Sequence, residues 1–155
     1  MSEYLQEKVL AYLATHHVVT LATQGSSDLW AAAVFYVNDG FNLYFLSAPH
    51  TRHSRHIAEN TAVAATIQED YREWTAIKGI QLEGHCILLT GEERETAIAL
   101  YTTKFPIIGD EAPPQIAQAI SKIGWYKIVP TTLYFIDNSL GLGHRDQVIG
   151  SSDAY

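Results

Sequence analysis

The stretch Tyr44–Asn60, YFLSAPHTRHSRHIAEN, joins a predicted strand to a predicted helix. Its apolar first residues are typical of a strand end. Thr51 is a residue type preferred at a helix N-cap, and Asn60 suits the helix end. A helix N-terminus leaves backbone N–H groups unpaired and carries partial positive charge. The first turn nevertheless adds three cationic or titratable side chains, Arg52, His53 and Arg55. Because these charges oppose the macrodipole, the stretch predicts an anion site, and we interpret it as a cradle for a cofactor phosphate.

Length and composition limit the class of protein. The chain has 155 residues, a formal net charge of −7, 47% hydrophobic residues and 17% charged residues. This length predicts one domain, residues 1–155, and the negative charge argues against general nucleic-acid binding. Cys86 is the only cysteine, which excludes an intrachain disulfide and favours a reducing compartment.

The sequence shows no membrane-targeting pattern. Residues 3–14 predict an amphipathic N-terminal helix, and Glu3, Glu7 and Lys8 interrupt the apolar core that a signal peptide needs. No apolar run approaches the roughly 20 residues that span a bilayer. We therefore expect a cytoplasmic protein with no membrane partner.

Short apolar runs separated by turn residues predict a mainly β protein. The predicted strands are 17–23, 29–38, 42–46, 62–68, 76–89, 125–129 and 132–136, the last two being split at Pro130, with a further candidate within 140–149. Helical spacing predicts helices at 91–104 and 115–122, and residues 150–155 are expected to be unstructured. Six or seven antiparallel strands with few helices indicate a small β-barrel with peripheral helices.

The order of these segments resembles a known family. The segments are HVVTLAT (17–23), WAAAVFYVNDGFNLYFLS (30–47), TRHSR (51–55) leading to IAEN (57–60), GIQLEG (79–84) and WYKIVPTTLYFIDN (125–138). Together they resemble the FMN-binding split-barrel superfamily, whose best-known members are the pyridoxamine-5′-phosphate oxidases. The resemblance covers about residues 17–145 and implies a six- to seven-stranded antiparallel split barrel that binds flavin.

The resemblance also implies which residues contact the cofactor. The end of the third strand and the following helix start would hold the FMN phosphate through Ser47, Thr51, Arg52 and His53. The second strand would lie against the flavin ring along Trp30–Val34, with Trp30 and Ala33 as contacts. The long fifth strand would contribute Lys78 and Gln81, and the tail His144 and Arg145. Family members are usually homodimers with the flavin at the subunit interface, so the same assembly is expected here.

Three departures argue against pyridoxamine-phosphate oxidation itself. Oxidase members carry an Arg and a Lys on the second strand, where this chain has the alanine run Ala31–Ala33. Their fifth-strand glutamine falls nearer Gly79 than Gln81, and their C-terminal arginine falls near Leu142. A related flavoprotein with another substrate fits these residues better.

Lys78 and Gln81 have opposite parity on a regular strand, so both can face the flavin ring only if Gly79 forms a bulge. Gly79 and Gly84 both interrupt this strand, and a glycine there marks a bulge, a bend or a close approach. Without a bulge at Gly79, one of the two candidate ligands faces away from the ring.

The histidines of the opening stretch also permit a metal interpretation. His50, His53 and His56 recur at every third residue, but His50 precedes the N-cap and no carboxylate or thiolate joins them. We therefore predict no metal, and we expect Arg55 and His56 to lie on the surface. Cys86 shares its parity with Leu82, which predicts a small core residue rather than a nucleophile.

The leading functional hypothesis is an FMN-dependent oxidoreductase that acts on a small molecule by two-electron transfer, with NADH or NADPH as a candidate donor. No residue stands out as a dedicated acid or base. The alternative is a binding protein of the same fold that holds haem, a deazaflavin or a flavin without turnover. The sequence identifies neither the substrate nor the donor.

Overall fold

One antiparallel sheet of eight strands forms the body of the protein, in a computed structural model that describes residues 2–150. The strands are β1 (Val18–Gln24), β2 (Leu29–Phe35), β3 (Val37–Asp39), β4 (Asn42–Ser47), β5 (Ala62–Gln68), β6 (Lys78–Leu88), β7 (Gly124–Asp137) and β8 (Arg145–Ile149). The described part of the chain also forms four α-helices, namely α1 (Glu3–Thr15), α2 (Arg52–Glu59), α3 (Gly91–Lys104) and α4 (Pro114–Ile120). Short 3₁₀ turns occur at Trp74–Ala76, Pro106–Ile108 and Asn138–Leu140.

The strand order confirms the mainly β prediction. The sheet runs β2-β1-β5-β6-β7-β4-β3 and β8 pairs with β7, so that β2 lies at one edge. All the pairs are antiparallel, and the sheet curls into a half-barrel with peripheral helices. The sequence predicts an unstructured end over residues 150–155. Of these, residues 151–155 lie outside the described part of the chain.

The predicted second strand is divided in two, β2 and β3. Tyr36 lies between β2 and β3 and is fully buried. Its backbone N–H donates to the His17 carbonyl at 2.9 Å, and its hydroxyl donates to the Leu13 carbonyl at 2.7 Å. These bonds tie the strand to the end of α1, and they explain a break that the apolar pattern alone did not reveal.

The predicted split at Pro130 is wrong, because β7 continues through it for 14 residues. Glu83 pairs with Thr132 and Gly84 with Pro130, so Thr131 is the extra residue of a β-bulge. A proline has no N–H to donate, and the bulge interrupts the ladder at the position where that donor is missing. A Cβ on Gly84 would lie 2.2 Å from the Val129 carbonyl oxygen, so the close approach of the two strands requires glycine.

Strands β1, β5 and most of β6 bury alternate residues on the side of the curled interior. We call this side of the sheet the inner face and the opposite side the outer face. On β1, Val19, Leu21 and Thr23 are buried whereas Ala22 and Gln24 are exposed. The core also includes residues from α1, α2 and β4 to β7: Val9, Leu13, Leu43, Phe45, Ile57, Ile67, Ile80, Leu82, Cys86, Ile128, Leu133 and Phe135. Cys86 is thus a core residue, as its parity predicted. Of the helices in residues 2–150, none combines the length and apolar character needed to cross a bilayer.

Candidate functional site

The junction between β4 and α2 forms as the sequence predicts. Thr51 is the N-cap, and its Oγ1 accepts a hydrogen bond from the Ser54 amide at 3.3 Å. The same hydroxyl donates to the Ala48 carbonyl at 2.9 Å, which closes the turn after β4. The helix ends at Asn60, whose N–H bonds to the His56 carbonyl. The amides of Arg52 and His53 begin the helix, where no intrahelical acceptor is available to them.

Two hydroxyls and an imidazole meet at this helix start. Ser47 Oγ lies 3.1 Å from Thr51 Oγ1 and 2.6 Å from His53 Nε2, and Thr51 Oγ1 lies 3.3 Å from the same nitrogen. Ser47 and His53 are buried. Burial, together with the nearby His56, lowers the pKa of His53, which favours a neutral imidazole at pH 7. The structure therefore brings three of the four predicted phosphate ligands into one hydrogen-bonded cluster.

Arg52 is the fourth predicted phosphate ligand, and it is bound by a residue that the sequence did not identify as part of the site. Its Nε and Nη2 donate to Asp28 Oδ2 at 3.0 and 2.7 Å. Its guanidinium carbon lies 4.4 Å from the ring centroid of Trp30, an arrangement typical of a cation–π contact. The hydrogen bond from Arg52, followed by that from His56, lowers the pKa of Asp28. Trp30 and Arg52, predicted separately as ring and phosphate contacts, are therefore direct neighbours.

The expectation that His56 lies on the surface is wrong. It is only 5% exposed, with Nε2 at 2.9 Å from Asp28 Oδ2 and Nδ1 at 2.9 Å from Thr23 Oγ1. The reason is packing, because α2 lies across β1 and the turn that follows β1, so one face of the helix is covered. Arg55, on the opposite face, is exposed as expected.

The contacts predicted on β2 divide between the two faces of the sheet. Trp30 pairs with Thr23, whose side chain is on the inner face, and it packs near α2. Ala33 pairs with Thr20 and is exposed on the outer face of this edge strand. Leu29 and Phe35 share that outer side and are 77% and 57% exposed. Such an apolar edge strand is unusual for a chain that functions alone.

Gln81 and Arg145 line the same groove on the outer face. They line a pocket of about 310 Å³ with Ala64, Leu82, Glu83, Thr132 and Tyr134. The Arg145 guanidinium lies 4.4 Å from the ring centroid of Tyr134. A second pocket of about 260 Å³ shares Ala64 and Glu83 with the first and extends across β1 to Leu29. Together they form a groove from β8 to the β2 edge, which we call the outer groove.

The bulge that would bring Lys78 and Gln81 to one face does not occur at Gly79. Pairing with β7 is regular from Lys78 to Glu83, and the register shifts only between Glu83 and Gly84. Gln81 therefore faces outward, whereas Lys78 has the parity of the buried Ile80. Both residues nevertheless border a pocket of about 170 Å³ at the start of β6.

His144 lies just before β8, and its Nε2 is 3.0 Å from Asp146 Oδ2. Its backbone carbonyl accepts from the Asp137 amide at 3.0 Å, which sets the start of the final strand. Arg145, the next residue, reaches the outer groove. Most of the predicted residues thus form two groups, one at the start of α2 and one on the outer face, whereas Lys78 and His144 belong to neither.

No three histidine, cysteine, aspartate or glutamate side chains within residues 2–150 converge on a position that could hold a metal ion. In particular, His53 and His56 are engaged separately, by Ser47 and by Asp28 with Thr23. Their spacing in the sequence therefore has a structural explanation in hydrogen bonding.

Comparison with known sequences identifies close relatives. The pyridoxamine 5′-phosphate oxidase family matches residues 5–137. The UPF0306 protein plu4501 of Photorhabdus laumondii is 35% identical over 136 residues, which is 86% of this chain and 88% of that protein.

Solved structures share the fold at lower sequence identity. A candidate pyridoxamine 5′-phosphate oxidase from Listeria innocua superposes with a TM-score of 0.64 at 22% identity, over 83% of this chain and 95% of that one. HutZ, the heme storage protein from Vibrio cholerae, superposes with a TM-score of 0.69 at 17% identity, over 81% and 89% of the two chains. At these identities the likenesses concern the fold alone.

Proposed function

The chain belongs to the pyridoxamine 5′-phosphate oxidase family, and from this premise we propose that it is an FMN-binding flavoprotein of the cytoplasm that oxidises or reduces a small molecule. The relatives that share more sequence identity with this chain than the solved structures do are UPF0306 proteins, not established pyridoxamine-phosphate oxidases. The alanine run on β2 supports the same distinction, because it lacks the cationic residues that the oxidases carry there.

The observation that carries the proposal is the cluster at the start of α2. Two hydroxyls, Ser47 and Thr51, lie 3.1 Å apart beside the unpaired first amides of the helix. Arg52 adds a guanidinium, which binds phosphate through charge-assisted bidentate hydrogen bonds. Hydroxyls, helix amides and a guanidinium are the donors that a phosphate monoester needs.

The outer face supplies a surface suited to a flat ring. Ala22, Ala62 and Ala64 line the outer groove, and Ala33 lies beside it on β2. Small side chains let a planar ring approach the strands closely, while Gln81 and Arg145 offer polar atoms at its edge. We propose that these residues contact the flavin ring, with Trp30 between ring and phosphate sites.

The separation of the two groups favours a homodimer with the cofactor at the interface. The α2 cluster involves the inner side of β2, whereas Ala33 and Arg145 belong to the outer face. Two copies packed through the exposed edge strand β2 would cover Leu29 and Phe35. This arrangement lets the α2 cluster of one copy and the outer groove of the other contribute to one site.

When bound, FMN supplies two-electron redox chemistry, and the protein positions the ring and tunes its electronics. This chain would hold the phosphate at the α2 cluster and exclude water with the apolar β2 edge. Arg145 and Gln81 would orient the ring or the substrate beside it. No described side chain is assigned as catalytic, and NADH or NADPH is the proposed donor.

The cofactor spectrum and a binding titration test the proposal. Purified protein should be yellow or should take up added FMN, and reduction of the bound flavin by NADH or NADPH would identify the donor. The double variant Arg52→Ala/Thr51→Ala should bind FMN at least about tenfold more weakly, the loss expected for a charge-assisted bond. Arg55→Ala, on the exposed face of the same helix, is the matched control. A colourless protein that ignores FMN would refute the proposal.

Haem is the second candidate cofactor, because the fold also superposes on a heme storage protein. A Soret band in the purified protein, or its appearance on haem titration without any response to FMN, would favour this alternative. A deazaflavin would be recognised by the same spectrum and by cofactor extraction.

A further inference from the structure

Arg52 is hydrogen-bonded to the first of three linked side chains, which extend to the inner face of the sheet. Asp28 Oδ2 accepts from Arg52 and from His56, and His56 contacts Thr23 on β1. We infer that Asp28 and His56 are positioning residues, which orient the Arg52 guanidinium for a bidentate grip on the cofactor phosphate. The inference rests on the proposed FMN site and assigns a role to residues outside it.

The geometry of the guanidinium supports this role. A guanidinium has five N–H donors in a planar fork, with two edges that can each engage an oxyanion. Asp28 occupies the edge formed by Nε and Nη2, at 3.0 and 2.7 Å. The opposite edge, formed by Nη1 and the second Nη2 proton, has no partner among residues 2–150 and remains for the phosphate. Asp28 therefore need not leave when the anion binds.

Trp30 restrains the guanidinium in the remaining direction. Its ring lies against the guanidinium carbon at 4.4 Å, while Asp28 fixes rotation within the plane. The Arg52 side chain as a whole keeps 38% of its surface exposed. Ordering a long arginine side chain costs conformational entropy. Because these contacts order it in advance, phosphate binding no longer bears that cost.

The hydrogen-bond partners determine the proton positions on His56. A carboxylate only accepts, so His56 Nε2 carries the proton shared with Asp28 at 2.9 Å. In the neutral imidazole, Nδ1 then accepts from the hydroxyl of Thr23, which is buried and 2.9 Å away. The partly exposed Asp28 is thereby anchored to β1 in the sheet.

Gly25 leaves the space that this arrangement requires. A Cβ at Gly25 would lie 2.3 Å from Asp28 Oδ1 and 3.0 Å from His56 Nε2. The Gly25 amide also donates to the Asp28 carbonyl at 2.9 Å, which closes the turn between β1 and β2. Any larger residue would force the Asp28 carboxylate to shift.

The test depends on the sign of the effect. Asp28 is negative, so if it acted only as a nearby charge, its neutralisation in Asp28→Asn would strengthen binding of an anion. Positioning predicts the opposite, because the Asn amide cannot accept both Arg52 and His56 with the strength of a carboxylate. The two explanations therefore differ in the direction of the change in FMN affinity.

FMN and riboflavin are the probes, because they differ only in the phosphate. Fluorescence titrations should show that Asp28→Asn binds FMN about tenfold more weakly, the scale of one charge-assisted bond, while its riboflavin affinity is unchanged. In His56→Gln the affinity for FMN should fall about threefold, as expected for the loss of a neutral hydrogen bond, and the affinity for riboflavin should not change. Asp70→Asn, on an exposed loop, is the control for net charge and should match the parent.

Unchanged or tighter FMN binding by Asp28→Asn overturns the inference while leaving the proposed function intact. Where Asp28→Asn fails to fold, His56→Gln decides by the same criterion. If the parent protein binds FMN no better than riboflavin, the phosphate site and this inference both fail. Failure of this inference alone would instead appear as a parent protein that prefers FMN to riboflavin and variants that keep the same preference.

Discussion

Ser47 Oγ lies 2.6 Å from Nε2 of His53, and both side chains are buried at the junction of β4 and α2. The bond joins the last residue of a strand to the first turn of the next helix. It also satisfies an imidazole whose burial, with nearby His56, lowers its pKa. The pair therefore has a structural role in addition to its proposed contact with phosphate.

Replacement of Ser47 should separate these two roles. Ser47→Ala leaves a buried imidazole without its closest partner, so the free energy of unfolding should fall by about 1–2 kcal/mol. FMN affinity should fall several-fold, whereas riboflavin affinity should change little. Urea unfolding and fluorescence titration measure the two effects, and Ser121→Ala on an exposed turn is the control. Unaltered FMN binding would remove Ser47 from the proposed site.

The β2 edge should mediate dimerisation. Ala33→Arg places a charge on an exposed apolar edge, and burial of an unpaired charge at an interface is strongly unfavourable. Sedimentation should show a dimer for the parent protein and a monomer with reduced FMN binding for Ala33→Arg. Ala119→Arg, on the exposed side of α4, should remain dimeric. A parent protein that is monomeric yet retains FMN would contradict an interface site.

Gly84 should tolerate no side chain. A Cβ would lie 2.2 Å from the Val129 carbonyl oxygen and 2.8 Å from the Pro130 Cα, both of which are backbone atoms. Gly84→Ala should therefore destabilise the protein by about 2–3 kcal/mol through forced strand separation. Gly40→Ala offers a comparison, since its φ of +57° is strained but nothing lies within 4 Å. Its loss should be nearer 1 kcal/mol, and equal losses in urea unfolding would argue against a packing effect.

The Lys8–Asp137 pair should make stability depend on acid pH. Asp137 is 1% exposed; its burial raises its pKa, but hydrogen bonds from Lys8 and Ser139 outweigh this and lower it to about 2. Because the folded-state pKa lies below the ordinary value of 3.8, the stabilisation is complete above pH 4 and is lost as the pH falls through 2.

Lys8→Met should therefore reduce the free energy of unfolding by about 2 kcal/mol at pH 7, with a smaller difference near pH 2. Urea unfolding across this pH range measures the change. Lys127→Met breaks the more exposed pair with Glu93 and should cost less than about 1 kcal/mol. A Lys8→Met loss that is independent of pH would show that the pair does not cause it.

Cys86 should be inert in the folded protein. It is fully buried, and burial raises the pKa of its thiol to about 12. Since the thiolate is the reactive form, iodoacetamide should modify Cys86 at pH 8 only after unfolding. Ser121→Cys in a Cys86→Ser background should react readily, and rapid labelling of native Cys86 would contradict its assignment to the core.

The local features of this protein follow from its amino-acid sequence alone. Thr51 as N-cap, Asn60 as the helix end, the strand at 62–68 and the helix at 91–104 all follow from residues close together in the chain. Helix caps and periodic apolar patterns depend on hydrogen bonds and burial over a few residues, so the sequence predicts them directly. The order of these segments was also sufficient to recognise the family.

Contacts between side chains that are distant in the sequence depend on the tertiary packing. His56 and Asp28 are 28 positions apart and come together because α2 packs over the β1–β2 turn. Pro130 remains within β7 because the bulge opposite Gly84 removes the need for its missing N–H. These outcomes depend on how helices and strands pack across the sheet. A single register shift or helix rotation changes every neighbouring residue, and local sequence patterns do not predict such shifts.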